Sequence, residues 1–153
     1  MSAPSTTSSV ALFPPVSAAQ PASVADILAR VPALAAEIAK GAAERDKTRE
    51  LPSEAFRGIR EAGIGTLRLP QALGGPGGTI ENYIDVISRL AAADSNVAHA
   101  LRSHFNFTEG LVLAPEGPKA QRYVKEVLAG KLFGGAHTEL GTARPGDVTT
   151  RLT

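Results

Sequence analysis

The stretch Thr79–Leu113, TIENYIDVISRLAAADSNVAHALRSHFNFTEGLVL, decides the fold class. Thr79 suits an N-cap, where a hydroxyl oxygen accepts from one of the first free amides of a helix. Ile80, Ile84, Ile87 and Ala91 then recur at i, i+4, i+7 and i+11, the spacing of one helical face. Asp94 or Ser95 marks a break or a new cap. Val97, Leu101, Phe105, Thr108 and Val112 carry the helical period on to about Leu113. Two helices of this length, joined at a short polar junction, predict a mainly α domain.

The same signals extend in both directions. Upstream, Ser23 is placed to cap a helix over Val24–Arg30, and Pro32 is expected to open or kink the next one, because proline suits a first turn. Leu34, Ile38, Ala42 and Arg45 form a stripe that turns polar by Lys47. Leu51-Pro52-Ser53-Glu54 restarts the chain; Ala55, Phe56, Ile59 and Ala62 share a face, and Gly63 supplies a stop. Ile64–Gly78 reads as a loop ending in Gly74-Gly75-Pro76-Gly77-Gly78. A phosphate-cradling loop would need a surrounding βαβ unit or a terminal GK[ST], and Pro76 removes one donor, so a tight turn is the better reading. Downstream, Pro115 and Gly117 close the long helix and Pro118 opens another. Tyr123, Val127 and Leu128 line its inner face, and Gly130 ends it.

After Gly130 the pattern changes. Leu132–Glu139, LFGGAHTE, reads as a strand or extended segment whose small central residues permit close approach by a ligand or a second backbone. Asp147–Thr153 reads as a second strand. Two strands with no sheet to join are marginal in water, so they are expected to open a β domain of a larger enzyme. The expected organisation is a disordered leader over 1–22, a helical domain over 23–130, and the start of a truncated β domain over 131–153.

Composition narrows the function classes. With 43% hydrophobic and 20% charged residues the chain is ordinary globular protein rather than a disordered one. Its formal net charge of +1 shows no basic excess, and the densest charge cluster, Glu44–Lys47 with Arg49 and Glu50, mixes signs, which argues against a nucleic-acid partner. The absence of cysteine removes disulfides, thiolate metal sites and cysteine nucleophiles. The three histidines lack the i, i+4 spacing that sets two imidazoles on one helix face. The Ser-, Ala- and Pro-rich N-terminus lacks the basic and uninterrupted apolar parts of a secretory signal, and no apolar run approaches the ~18 residues of a membrane span. A cytoplasmic protein without membrane association is expected.

The ordered set of junctions resembles the acyl-CoA dehydrogenase superfamily. The resembling pieces are AERDKTRELPSEAFRGIREAGIGTLRLPQALGGPGG from Ala43, RLAAADSNVAHAL from Arg89, Pro118–Gly130, and FGGAHTELG from Phe133. They cover the chain roughly from Ala33 onward. Ser103-His104-Phe105 and the passage FGGAHTELGTARPGDVTTRLT are most similar to the flavin-dependent monooxygenase branch, the sulfur-acquisition and dibenzothiophene-type oxidoreductases. Acyl-CoA dehydrogenases proper more usually continue Ala-Gly-Ser-Asp after Thr-Glu, where this chain has Gly141-Thr142-Ala143.

The resemblance implies a subunit of three parts, namely N-terminal helices, a central β domain and a C-terminal helical bundle that drives tetramer formation. It implies a flavin-dependent monooxygenase of a small substrate, commonly oxidised at sulfur, with reduced FMN supplied by a separate flavin reductase. An acyl-CoA dehydrogenase using FAD is the alternative, and a non-catalytic helical interaction fragment is a third reading. By resemblance His104 would face the reactive edge of the flavin as a catalytic hydrogen-bonding or protonating group; from its place at the edge of the apolar stripe it reads equally as a satisfied histidine between helices. The backbone of Gly135, Ala136, His137 and Thr138 would contact the flavin ring, with Thr138 matching the threonine of the Thr-Glu pair. Two residues depart from the branch pattern: Gly135 stands where asparagine is common, and His137 where leucine is. The chain alone, holding one wall of such a pocket, is expected to be inactive. His99 and Arg102 carry no pattern and default to surface or packing roles.

Overall fold

Six helices account for most of the described chain, and side-chain caps from Ser23, Thr79 and Asp94 begin three of them. A computed structural model of the protein describes residues 22–135. The leader expected over 1–22 therefore lies, except for Ala22, outside the described residues, as do Ala136, His137, Thr138 and the strand expected over 147–153.

Helix α1 spans Val24–Ala39 and begins in a capping box: the Ser23 hydroxyl accepts from the Asp26 amide while the Asp26 carboxylate accepts from the Ser23 amide. Pro32 does not divide this segment, contrary to the expectation of a new helix there. It sits inside α1 with an exposed ring, while Ile27, Val31, Leu34 and Ile38 are all buried on the opposite face. Burying four such side chains, at ~1.5–3 kcal/mol each, outweighs the ~3 kcal/mol that an interior proline costs. The stripe expected to run on through Ala42 and Arg45 is instead interrupted. Gly41 at φ 73° turns the chain into a separate helix α2, Ala42–Thr48, which buries nothing.

Helix α3, Ser53–Glu61, buries Ala55, Gly58 and Ile59. After it come two single turns of 3-10 helix, Ile64–Thr66 and Gln71–Leu73, inside what reads locally as a loop. The glycines that follow serve the close approach of the two arms of that loop. The Gly77 amide donates to the Leu69 carbonyl and the Gly78 amide to the Leu67 carbonyl, both at 2.8 Å. A β-carbon on Gly75 would lie 2.3 Å from the Leu69 backbone, and one on Gly78 would lie 2.7 Å from the Leu67 carbonyl. Those amides are engaged within the turn, as the turn reading expects.

Helices α4, Ile80–Ala93, and α5, Ser95–Leu113, meet at Asp94. Thr79 caps α4 in a second capping box, with Asn82. The buried face of α4 differs from the one its isoleucines suggest. Val86 and Leu90 are fully buried, Tyr83 and Ile87 pack beside them, and Ile80 and Ile84 remain 48% and 55% exposed. The stripe through 83, 86, 87 and 90 lies about 80° around the helix from the one through 80, 84, 87 and 91 and shares Ile87 with it, so periodicity admits both. Packing of α4 between α1 and α5 selects the first. Helix α6, Pro118–Leu128, starts with proline at its first turn and sets Val124 and Val127 against Leu69 and Leu111 in a second, smaller core.

Of the strand expected over 132–139, residues 132–135 adopt no regular structure, and no strand occurs among the described residues. No helix among them is long and apolar enough to cross a membrane.

Candidate functional site

Helix α5 carries His104 into the centre of the domain, where it is 1% exposed. Each ring nitrogen meets a different element. Nε2 lies 2.8 Å from the carbonyl oxygen of Gly65, and the amide of Phe133 donates to Nδ1 at 3.2 Å. A carbonyl can only accept, so Nε2 carries the proton and Nδ1 is free to accept; a single neutral tautomer satisfies both bonds. Burial pushes the imidazole below the ordinary histidine range, against the opposing effect of the Gly65 carbonyl, so the neutral ring prevails at pH 7.

The surroundings are aromatic. The His104 ring meets Phe105 edge-on at 5.4 Å and lies nearly parallel to Phe133, with centroids 6.3 Å apart. Phe133 in turn stacks on Phe107 at 4.4 Å and meets Tyr123 edge-on at 5.6 Å. Gly65 is fitted tightly beneath: a β-carbon there would come 2.7 Å from Leu132 Cδ2 and 3.1 Å from His104 Nε2. Thr108, one turn beyond His104 and fully buried, donates its hydroxyl to the Phe105 carbonyl, a bond inside its own helix.

Beyond Phe133 the chain opens. Gly134 and Gly135 are exposed, and a β-carbon on Gly134 would meet nothing within 4 Å. Unobstructed backbone of this kind suits a flat ring laid against it. Gly135 is thus the described member of the expected cofactor-binding set; Ala136, His137 and Thr138 lie outside the described residues. A cleft of about 540 Å³ lies elsewhere, between α1 and α3, bordered by Leu34, Ile38, Leu51 and Glu61, with neither His104 nor residues 132–135 in its lining. Among the described residues no group of three His, Cys, Asp or Glu side chains is placed to hold a metal ion. His99 and Arg102 are exposed.

Three features of this region are not apparent from local reading. Gly65 lies in a 3-10 turn without the positive φ that would demand glycine, and its signal is a glycine within an apolar run, which marks close approach of other groups. Phe133 is an aromatic residue at the edge of a glycine pair. The third is the ion pair of Arg68 with Glu109, Nε to Oε1 at 2.5 Å, with a further bond from Arg68 to the Gly78 carbonyl. It clamps the glycine loop to α5, and the bonded Glu109 carboxylate raises the Arg68 pKa.

Comparison with known proteins agrees with this architecture. The chain is 34% identical over 71 residues to a probable FMNH2-dependent monooxygenase, SfnC, of Pseudomonas putida, an alignment covering 46% of this chain and 18% of that protein. It is 35% identical over 133 residues to the L-evernosamine nitrososynthase of a Micromonospora species, covering 82% of this chain and 30% of that protein. The chain thus spans less than a third of either relative. No solved structure matches it. Residues 27–131, from the first buried side chain of α1 to the start of the segment held by His104, match the family described as acyl-CoA dehydrogenase, N-terminal domain, and the chain belongs to that family.

Proposed function

We propose that this domain works as the N-terminal helical part of a flavin-dependent monooxygenase acting on a small substrate. The observation that carries the reading is the coincidence of two things at one place: the family match ends at residue 131, where the chain runs under His104 and then exposes the backbone of Gly134 and Gly135. The relative named for reduced FMN supports FMN over FAD. Reduced FMN would come from a separate reductase, and the functional protein would be a cytoplasmic homotetramer.

When bound, reduced flavin supplies the electrons that activate oxygen. The protein's part is binding and orientation. Backbone amides of Gly135, Ala136, His137 and Thr138 would lie along the polar edge of the ring and stabilise its negative charge, as donors aimed at developing charge do. The resemblance gives His104 a catalytic role, holding or delivering a proton. In the described domain its proton, on Nε2, is given to the Gly65 carbonyl and its Nδ1 accepts from the Phe133 amide, so delivering a proton requires the first bond, and taking one up the second, to be exchanged for a bond to the reacting group. The 153-residue chain alone is expected to have no turnover.

The test is flavin binding and product formation by a full-length protein carrying this domain. Binding of reduced FMN with oxygen-dependent product formation is the expected result. Tight FAD binding, with bleaching of the flavin on addition of an acyl-CoA, would replace this reading with a dehydrogenase. Failure to bind any flavin would leave a helical interaction domain.

A further inference from the structure

We propose that His104 is a positioning residue whose Nδ1 holds the Phe133 amide and so fixes the path by which the chain leaves the helical domain. The two ring bonds reach partners 39 and 29 residues away in sequence, so the imidazole ties three separate pieces of chain together rather than satisfying itself within α5. Gly65 has no room for a side chain because Leu132 and the imidazole both press on it. The Phe133 ring is held on three sides, by His104, Phe107 and Tyr123. Yet residues 131–135 belong to no helix or strand, so no regular backbone ladder orients them. The bond to His104 supplies that missing constraint, and Gly134 and Gly135 follow directly from it.

The consequence for function rests on the reading that Gly135–Thr138 contacts flavin. One residue advances the chain by at most ~3.3–3.6 Å. An error in direction at Phe133 is therefore carried undiminished to the residues that meet the ring. His104 then acts through the backbone of Phe133, in place of the proton-handling role that the resemblance gives it, and its requirement is an acceptor at the Nδ1 position rather than a titrating group.

Two isosteric substitutions separate these requirements. His104→Asn puts a carbonyl oxygen near the Nδ1 position and retains the acceptor; His104→Gln puts an amide near the Nε2 position and lacks it. In the 153-residue chain, nitrogen chemical shifts should show wild-type His104 protonated at Nε2. Hydrogen exchange at the Phe133 amide should be about tenfold faster in His104→Gln and close to wild type in His104→Asn, with the amides of α1 unchanged. A proton on Nδ1 in the wild type overturns the proposal without any variant, which covers the case of a variant that does not fold. Equal exchange in all three chains, or loss of protection in His104→Asn, also overturns it. In the full-length protein, reduced-FMN affinity should follow the same order. If Phe133 protection separates the variants and flavin affinity does not, the positioning role stands and the assignment of Gly135–Thr138 to flavin fails.

Discussion

Asp94 offers the sharpest quantitative test of how this domain is held together. Its carboxylate joins three elements at once. Oδ1 accepts from the amides of Asn96 and Val97, at 3.0 and 3.3 Å, and caps α5. Oδ2 accepts from Arg45 of α2 at 2.9 Å, and Arg45 also donates to the carbonyls of Ile38 and Lys40 at the end of α1. Burial by itself would raise the Asp94 pKa, but the bonds from Arg45, Val97 and Asn96 prevail and hold it below the ordinary carboxylate range. Asp94→Ala removes both functions. Loss of the cap costs ~0.5–2 kcal/mol. Loss of a charge-assisted bond costs up to ~1.5–3 kcal/mol, less here because Arg45 keeps its two carbonyl partners. The expected total is ~2–4 kcal/mol by the same two principles. Asp94→Asn keeps the capping oxygen and loses the charge, so it should cost about half as much. Urea denaturation measures both, and with a slope of ~1–3 kcal/mol per molar the alanine variant should unfold about 1–2 M earlier. Adding Arg45→Ala completes a double-mutant cycle, in which Arg45 and Asp94 should couple by ~1 kcal/mol. An asparagine variant as stable as the wild type, or additive effects in the cycle, would show that the junction is a simple cap and that Arg45 contributes nothing to it.

Two further outcomes follow from burial. Leu90→Ala should cost ~2–5 kcal/mol, whereas Ile84→Lys should stay within ~0.5 kcal/mol; similar losses in urea midpoint would mean that α4 buries the isoleucine face after all. For His104 the folded pKa is lowered, so the unfolded chain takes up a proton near pH 6.5 that the folded chain refuses. Its contribution to stability is whole above that pH and declines as the pH falls below it, by at most ~1.4 kcal/mol per unit. Urea midpoints at pH 7.5 and 5.5 should diverge more in the wild type than in His104→Asn; parallel behaviour would contradict the buried neutral ring.

Much of the fold is legible in short windows of the chain because the forces concerned are local. Ser23, Thr79 and Asp94 cap helices through amides no more than three residues away, and Pro118 and Gly130 bound α6 by their own backbone constraints. The mainly helical class and the family follow from that ordered punctuation. What the sequence alone leaves open is whatever depends on distant partners. Pro32 lies within one helix because four side chains of α1 find a common core, which no property of the proline itself reveals. Two stripes of α4 are equally apolar, and only its neighbours α1 and α5 choose between them. The histidine in Ser103-His104-Phe105 is recognisable as a residue of interest, but its protonated nitrogen, its neutrality and its hold on Phe133 are set by Gly65 and Phe133, 39 and 29 residues away. Periodicity reports that a side chain is turned inward; only the packed tertiary structure decides what it meets there.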